Sequence, residues 1–516
     1  MGRALIVAAM MLTCGVAAQP DRGGAEAPKV KPAEIDPADV DLEPKAIAAL
    51  RAGEWDKAEQ LLKRQIELGQ GRFVPYYNMA CVRSTRGDID GAHEWLVKSL
   101  ERGFCDLRQL RRDPYLAQYR RDERFGAIEA GWGRFLQRRI DTDVAAAREL
   151  FGGTLTEIRD DRLRLVYLSS YDQKAFAEAR ADVERVAAWC DEHLWPGLMR
   201  EDETALDAWV MVVLPSRESF VRWSLAEFGP AALSGFGAVG GMYVHDEKRL
   251  VSQDLGATLR HEFFHVQHWR HMTRLGQRHP TYVQEGLGSL VEDFEVGSDG
   301  RLTIVPSWRT NIAKRRERGG TLMTIKEMAS LAPERFTGSR PLANYAMART
   351  LFMFVHDRGL LRAWYEHYTG QFLADPTGLK SFEAVFGKPA AEIQKEYRAW
   401  VRALPEVAEE IQTGMASLGV EIEAGDGDGV RISGITVRAE EQRLRRRPTS
   451  LPGVQGELRV GDVMRSIEGK PTREMAELVR LLSGFKPGDE VRIEVRRGRR
   501  LEDVRVKLSA KGEPSR

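Results

Sequence analysis

Residues His261-Glu262-Phe263-Phe264-His265 constrain this chain more than any other stretch. On a helix, two histidines four apart lie one turn above each other on one face, so both imidazoles can reach a single metal ion. Glu262 points about a quarter-turn away, which suits a base acting on water rather than a third ligand. The pentapeptide therefore predicts a helix with a metal on one face. What the metal does depends on the third ligand.

Two residues compete for that role, and they imply different enzymes. His271 stands where the last histidine of an HExxHxxGxxH pattern would be, but that pattern needs a glycine to swing the chain back, and here His268 occupies the place. The helix should then continue and carry His271 away from the metal. Glu285, twenty residues after His265, leaves room for the first helix to end near Gly276 and Pro280 and for a second, antiparallel helix to return. Two histidines and one carboxylate leave the fourth tetrahedral position open, which is the hydrolytic arrangement. Glu285 is the preferred ligand.

Taken together, His261-Glu262-x-x-His265 and Glu285-Gly286-x-Gly288-x-x-x-Glu292 resemble the gluzincin metallopeptidases, the thermolysin and aminopeptidase superfamily, and especially bacterial peptidase MA-like domains. The resemblance spans roughly residues 160 to 405, and its specific part is 261–292. It implies one Zn2+ held by His261, His265 and Glu285, with Glu262 as general base and Glu292 orienting a ligand histidine. It also implies a tyrosine or histidine further on, ahead of a helix, that stabilises the transition state. Tyr345 fits that place best. His268, His271 and His279 read as a solvated or supporting rim rather than as ligands.

The stretch before the motif bears on substrate. Ala208 to Leu214 is a continuous apolar run closed by Pro215, which predicts a buried strand. Gly235 to Val244 reads as a glycine-loosened strand; in gluzincins an edge strand here pairs with extended substrate through main-chain hydrogen bonds. Aminopeptidases of the superfamily carry Gly-x-Met-Glu-Asn in this region, with the glutamate gripping the substrate amine. Tyr243 stands where that glutamate would be, so the resemblance implies an endopeptidase.

Two further modules flank this core. Ala52-Gly-Glu-Trp-Asp-Lys-Ala58 recurs as Arg86-Gly-Asp-Ile-Asp-Gly-Ala92, an offset of 34 residues, and Gly69 matches Gly103. That period resembles tetratricopeptide repeats. Two units are fewer than the usual minimum of about three, so the tract is expected to dock on something, such as the peptidase domain. At the other end, Arg459-Val-Gly-Asp-Val-Met-Arg-Ser-Ile-Glu-Gly-Lys-Pro471, a helix near 472–482 and the alternating Val491, Ile493 and Val495 resemble a PDZ domain of the bacterial protease-associated type. Ser417-Leu418-Gly419-Val420 is then the expected loop for a peptide carboxylate. Arginines at 443, 445–447, 496, 497, 499 and 500 predict a basic end that favours acidic peptides or a membrane surface.

At 516 residues several domains are expected, and a net charge of +1 with no recognised motif gives no case for nucleic acid. Arg3 and the apolar run ending at Ala18 have the form of a secretory signal, with a lipoprotein anchored at Cys14 as the alternative. No later segment is long and apolar enough to span a bilayer. The expected architecture is α+β and multidomain: signal 1–18, linker 19–40, helical repeats 41–135, gluzincin-like domain 150–405 and PDZ domain 412–512. It predicts an exported, zinc-dependent endopeptidase taking protein or peptide substrates, with peptide C-termini at the PDZ domain. The alternative is a repeat-plus-PDZ binding scaffold whose peptidase-like domain is idle.

Overall fold

A computed structural model describes residues 42–512, apart from 71, 153–154, 201–204, 229–239 and 436–457. The expected signal and linker, residues 235–239 of the glycine-rich stretch and the arginines at 443–447 lie outside these. The architecture is mixed α and β, with a helical N-terminal region and a β-rich C-terminal one.

The 34-residue offset has a backbone counterpart. Gly53 and Gly87 both take positive φ, at +72° and +82°, in the turns that join Leu42–Ala52 to Trp55–Glu67 and Val74–Thr85 to Ile89–Glu101. Such turns favour glycine because an L side chain is strained there. Ala58 and Ala92 are fully buried. The tract is seated on the middle of the chain: Ala208, Leu206 and Trp209 complete its core, and Arg112 Nη1 donates to the Arg274 carbonyl at 2.9 Å.

The middle of the chain is built on a five-stranded sheet of β1 (Thr156–Asp160), β2 (Leu165–Ser169), β3 (Val210–Leu214), β4 (Gly241–Val244) and β5 (Arg249–Ser252), in the order β1-β2-β3-β5-β4. β2, β3 and β5 run parallel, and the two edge strands run antiparallel to their neighbours. Every residue of β2 and β3 is buried, because helices cover both faces. Tyr167, Val210, Val212 and Leu250 face the helices Gln173–His193 and Ala257–Leu275. Val166, Met211 and Val213 face Trp132–Phe151 and Arg217–Phe228. The expected glycine-loosened strand is β4, at the sheet edge.

A short hairpin, β6 (Phe294–Val296) with β7 (Leu302–Ile304), leads to a helical lobe. Its central helix, Pro341–Asp357, is apolar almost all round and packs against Thr281–Gly288, Trp308–Arg318 and Ala390–Ala403.

The C-terminal part holds β8 (Ala416–Ser417), β9 (Val420–Ala424), β10 (Val430–Ile435), β11 (Val463–Ile467), β12 (Lys470–Pro471), the helix Met475–Ser483, β13 (Glu490–Arg497), β14 (Arg500–Lys507) and β15 (Ser509–Ala510). Its main sheet runs β14-β13-β11-β10-β9, leaving β9 at an edge. Val491, Ile493 and Val495 point inward onto Leu478 and Leu482 of the helix, as their alternation requires. Of the arginines expected to make this end basic, Arg496 is paired with Asp428 through two 3.0 Å contacts and Arg497 with Asp462 at 2.8 Å, while Arg499 and Arg500 are exposed. Among the described residues, no helix is long and apolar enough to cross a membrane.

Candidate metal centre

The helix Ala257–Leu275 runs on through His271 and stops at Gly276, which takes the left-handed conformation at φ +67°. The chain turns at Pro280 and returns as Thr281–Gly288. This places Glu285 against the two histidines. Its Oε2 lies 3.1 Å from His261 Nε2 and 3.4 Å from His265 Nε2, and the two nitrogens are 3.0 Å apart. A tetrahedral ion with zinc-to-ligand bonds of about 2.0–2.1 Å needs edges of roughly 3.3 Å. The donor set, two imidazoles and one carboxylate, therefore fits zinc in both chemistry and spacing.

Both glycines of the Glu285-Gly286-Leu287-Gly288 segment are needed for this approach. A Cβ at Gly288 would lie 3.2 Å from His261 Cε1 and 3.4 Å from His265 Cε1. A Cβ at Gly286 would lie 2.7 Å from Phe352 Cδ2 and 3.0 Å from the Ala348 carbonyl, on the helix Pro341–Asp357.

Glu292 lies behind the ligands, with Oε1 2.9 Å from His261 Nδ1. That contact favours the proton on Nδ1 and leaves the Nε2 lone pair for a metal. Arg309 forks onto the same carboxylate, Nη2 donating to Oε1 at 3.0 Å and Nε to Oε2 at 2.5 Å. Burial opposes the charged form of His261, but Glu285 and Glu292 outweigh it and raise its pKa to about 10. Burial likewise works against the Glu292 carboxylate, yet Arg309 and His261 hold it at about 2. Glu285 is driven low by the two histidines against the same burial.

Glu262 leaves the ligand face and meets the edge strand, where it accepts a hydrogen bond from the Tyr243 backbone N–H. Burial pushes its carboxyl up, and His261 and His265 pull it back. The glycine of β4 permits this contact: a Cβ at Gly241 would press on Thr258, the Val251 carbonyl and Glu262. Tyr345 sits in the helix Pro341–Asp357 rather than ahead of it. Its ring centroid is 6.4 Å from that of His261, and its hydroxyl hydrogen-bonds Glu285. Burial, then Glu285 and Glu262, keep its phenol protonated far above neutrality.

His268, His271 and His279 do not form a solvated rim. His268 and His279 are fully buried, with His268 Nε2 2.9 Å from His279 Nδ1, and His271 Nδ1 is 3.1 Å from the Tyr365 hydroxyl. The helix Leu361–Gly370, about a hundred residues later, covers them with Tyr365 and Tyr368. His271 thus faces the lobe, away from the metal site. Ser417, Leu418, Gly419 and Val420 lie in the C-terminal part, where Gly419 takes φ +67° and its N–H donates to Ser417 Oγ at 3.2 Å.

Two supporting residues have no counterpart in the sequence reading. Arg309 follows no motif. Arg349, fully buried, donates to the carbonyls of Ser289 at 2.8 Å and Val305 at 2.9 Å, fixing the turn that delivers Glu292. A lone arginine inside Ala346-Met-Ala-Arg-Thr-Leu-Phe-Met-Phe-Val355 was the available signal, since an apolar helix buries a charge only where partners wait.

Comparison with known proteins agrees with the C-terminal fold: the PDZ domain family model matches residues 430–508, and this part of the chain is a PDZ domain. No curated protein matches the chain. Among solved structures, an HtrA-type protease with a decapeptide is 20% identical over 20% of this chain and 30% of its own, at a TM-score of 0.15. The chain therefore spans less than a third of that protein. An aminopeptidase N family protein from Idiomarina loihiensis is 14% identical over 69% of this chain and 67% of its own, at a TM-score of 0.29.

Proposed function

We propose that this chain is an exported zinc endopeptidase, with its helical repeats and PDZ domain positioning polypeptide substrates. The observation that carries the proposal is the triangle of His261 Nε2, His265 Nε2 and Glu285 Oε2, closed to 3.0–3.4 Å, with Glu262 one residue along the same helix and hydrogen-bonded to the edge strand. Zinc in such a site supplies Lewis-acid chemistry, polarising a carbonyl and acidifying water.

The chain's own groups divide the remaining work. β4 offers its outer edge to an extended peptide and brings the scissile bond beside Glu262. Glu262, its carboxyl raised by burial, takes a proton from the attacking water and hands it to the leaving amine. Tyr345, which stays protonated, donates to the oxyanion as charge develops. Glu292 and Arg309 hold His261 in one tautomer. The apolar stretch after Arg3, ending at Ala18, supports export.

The test is metal content and turnover of the full chain beside Glu262→Gln. The variant should keep its zinc while hydrolysis of an unfolded protein falls at least roughly a hundredfold, the usual effect of losing a general base. A wild-type protein that binds little zinc and is as inert as Glu262→Gln would make the chain a repeat-plus-PDZ binding scaffold instead.

A further inference from the structure

The PDZ domain touches the loop between β5 and the metal-binding helix on two sides. On one side the turn after β9 touches it: Leu255 N–H donates to the Gly427 carbonyl at 3.0 Å, and the Tyr171 hydroxyl donates to the Asp426 carbonyl at 2.8 Å. Gly427 has φ +98°, and a Cβ there would overlap the Gln253 carbonyl. On the other side Glu474, just ahead of the helix Met475–Ser483, accepts from the Ala257 N–H. β9 and this helix carry Val420, Ile422 and Met475, which pack partly exposed on the PDZ core. The same loop continues to the catalytic edge, since Gln253 N–H donates to the Gly240 carbonyl at 2.9 Å, directly before β4.

This continuity sets a direction. A peptide whose carboxylate is held at Ser417–Val420 adds to the open edge of β9, and its upstream residues run from Val420 towards Ala424. They leave the groove at the 425–427 turn, beside Gln253, and meet β4 at its Gly241 end. Along both strands the peptide then runs antiparallel to the protein chain. The metal site lies close by: His261 is four residues into the helix from Ala257, about 6 Å at 1.5 Å rise per residue.

We infer that the PDZ groove and the β4 edge form one track, so that the substrate is an extended polypeptide taken by its free, apolar C-terminus and cut a fixed distance upstream. The inference rests on the peptidase reading and gives it a substrate class. β9 occupies about five substrate residues, the turn and the Gln253–Gly240 crossing about five more at roughly 3.3 Å each, and the approach along β4 a few beyond. The released C-terminal fragment should hold roughly ten residues, between about 8 and 14.

The probes are unstructured synthetic peptides sharing one apolar C-terminal residue, extended stepwise at the N-terminus or lengthened near the C-terminus, each as free acid and as amide. They are digested by the full chain and the fragments weighed. Extending the N-terminus should leave the C-terminal fragment unchanged, and inserting five residues near the C-terminus should move the cut bond by five residues. Amidation should raise KM at least tenfold with kcat little changed. A free-acid hexapeptide should inhibit without being cut, and should bind Glu262→Gln protein at least tenfold more tightly than its amide in fluorescence anisotropy. Glu262-dependent cuts that follow local sequence regardless of the C-terminus, or equal KM for acid and amide, would overturn the track and leave the peptidase standing. No Glu262-dependent cleavage of any probe would overturn both, and tight acid-selective anisotropy would then mark a binding module.

Discussion

Gly286 and Gly288 sit two residues apart in one helix, and alanine at each should fail differently. Alanine in a helix gains roughly 0.5–1 kcal/mol over glycine through backbone entropy. At Gly286 the new methyl would stand 2.7 Å from Phe352 Cδ2 and 3.0 Å from the Ala348 carbonyl. Phe352 is fully buried and packed between Tyr282 and Trp364, so it has nowhere to move. Overpacking of this kind costs roughly 1–3 kcal/mol and belongs at the upper end here, which leaves a net loss of about 1–2 kcal/mol. For a unit of this size that lowers Tm by roughly 2–8 °C. At Gly288 the methyl meets His261 Cε1 at 3.2 Å and His265 Cε1 and Phe264 Cδ1 at 3.4 Å, and the closest of these needs to yield by only a few tenths of an ångström. Stability should stay within about 0.5 kcal/mol, whereas the donor triangle opens and zinc affinity falls roughly 10–100-fold. The assay is thermal unfolding of EDTA-treated protein beside zinc titration against a competing chelator. Gly286→Ala melting at or above wild type, or Gly288→Ala keeping wild-type affinity, would refute the reasoning.

Glu285→Ala should abolish zinc retention while His271→Ala keeps it; the reverse outcome would move the third ligand to His271. Tyr345→Phe should lower kcat roughly 10²-fold or more with zinc content unchanged, and unchanged kcat would remove Tyr345 from the mechanism. Acid should destabilise the histidine cluster under Tyr365. Burial, with His271 beside it, holds His279 at about 3, and burial with Arg274 holds His271 at about 4, against 6.5 for a free imidazole. Both are neutral when folded, so the unfolded chain binds protons first. Stability is complete above about pH 6.5 and is lost as pH falls towards those values, by up to roughly 1.4 kcal/mol per pH unit and histidine. Urea midpoints at pH 7 and pH 5 should differ less in His279→Asn than in wild type, and equal differences would count against the cluster.

What local pattern could show was legible. The ligand helix follows from the four-residue spacing of His261 and His265, the buried β3 from an unbroken apolar run, and the PDZ strand β13 from strict alternation. Gly276 and Pro280 marked the turn that returns Glu285. The errors fell where a residue's environment is supplied from far along the chain. His268 and His279 read as a solvated or supporting rim, and which of the two was not legible because nothing near them in sequence tells of Tyr365 and Tyr368. Arg496 and Arg497 read as a basic loop because their partners, Asp428 and Asp462, stand more than thirty residues away. Arg309 had no visible role until Glu292 folded against it.

The largest omission concerns how the modules are joined, and it changes what the metal helix is. Ala257–Leu275 begins at Gly256, which has no side chain to cap the unpaired, partly positive N–H groups of a helix start; Asp254, two residues earlier, accepts from the Gly256 N–H at 2.9 Å and from the Leu259 N–H. Glu474 of the PDZ domain supplies a second acceptor, for the Ala257 N–H, and a Cβ at Gly256 would obstruct it. One turn on, Arg260, adjacent to the ligand His261, lies 3.3 Å from Glu477 and 3.6 Å from Asp182, and Asp182 also pairs with Arg473. Arg260, Asp182 and Arg473 are buried and Glu477 nearly so, so each depends on its partner to stay in place. A chain read as three beads on a string would put the ligands wholly inside the middle bead. In this fold the helix that presents His261 and His265 is held at its start by the third, so the PDZ domain and the helix that carries the candidate metal triangle share one set of contacts.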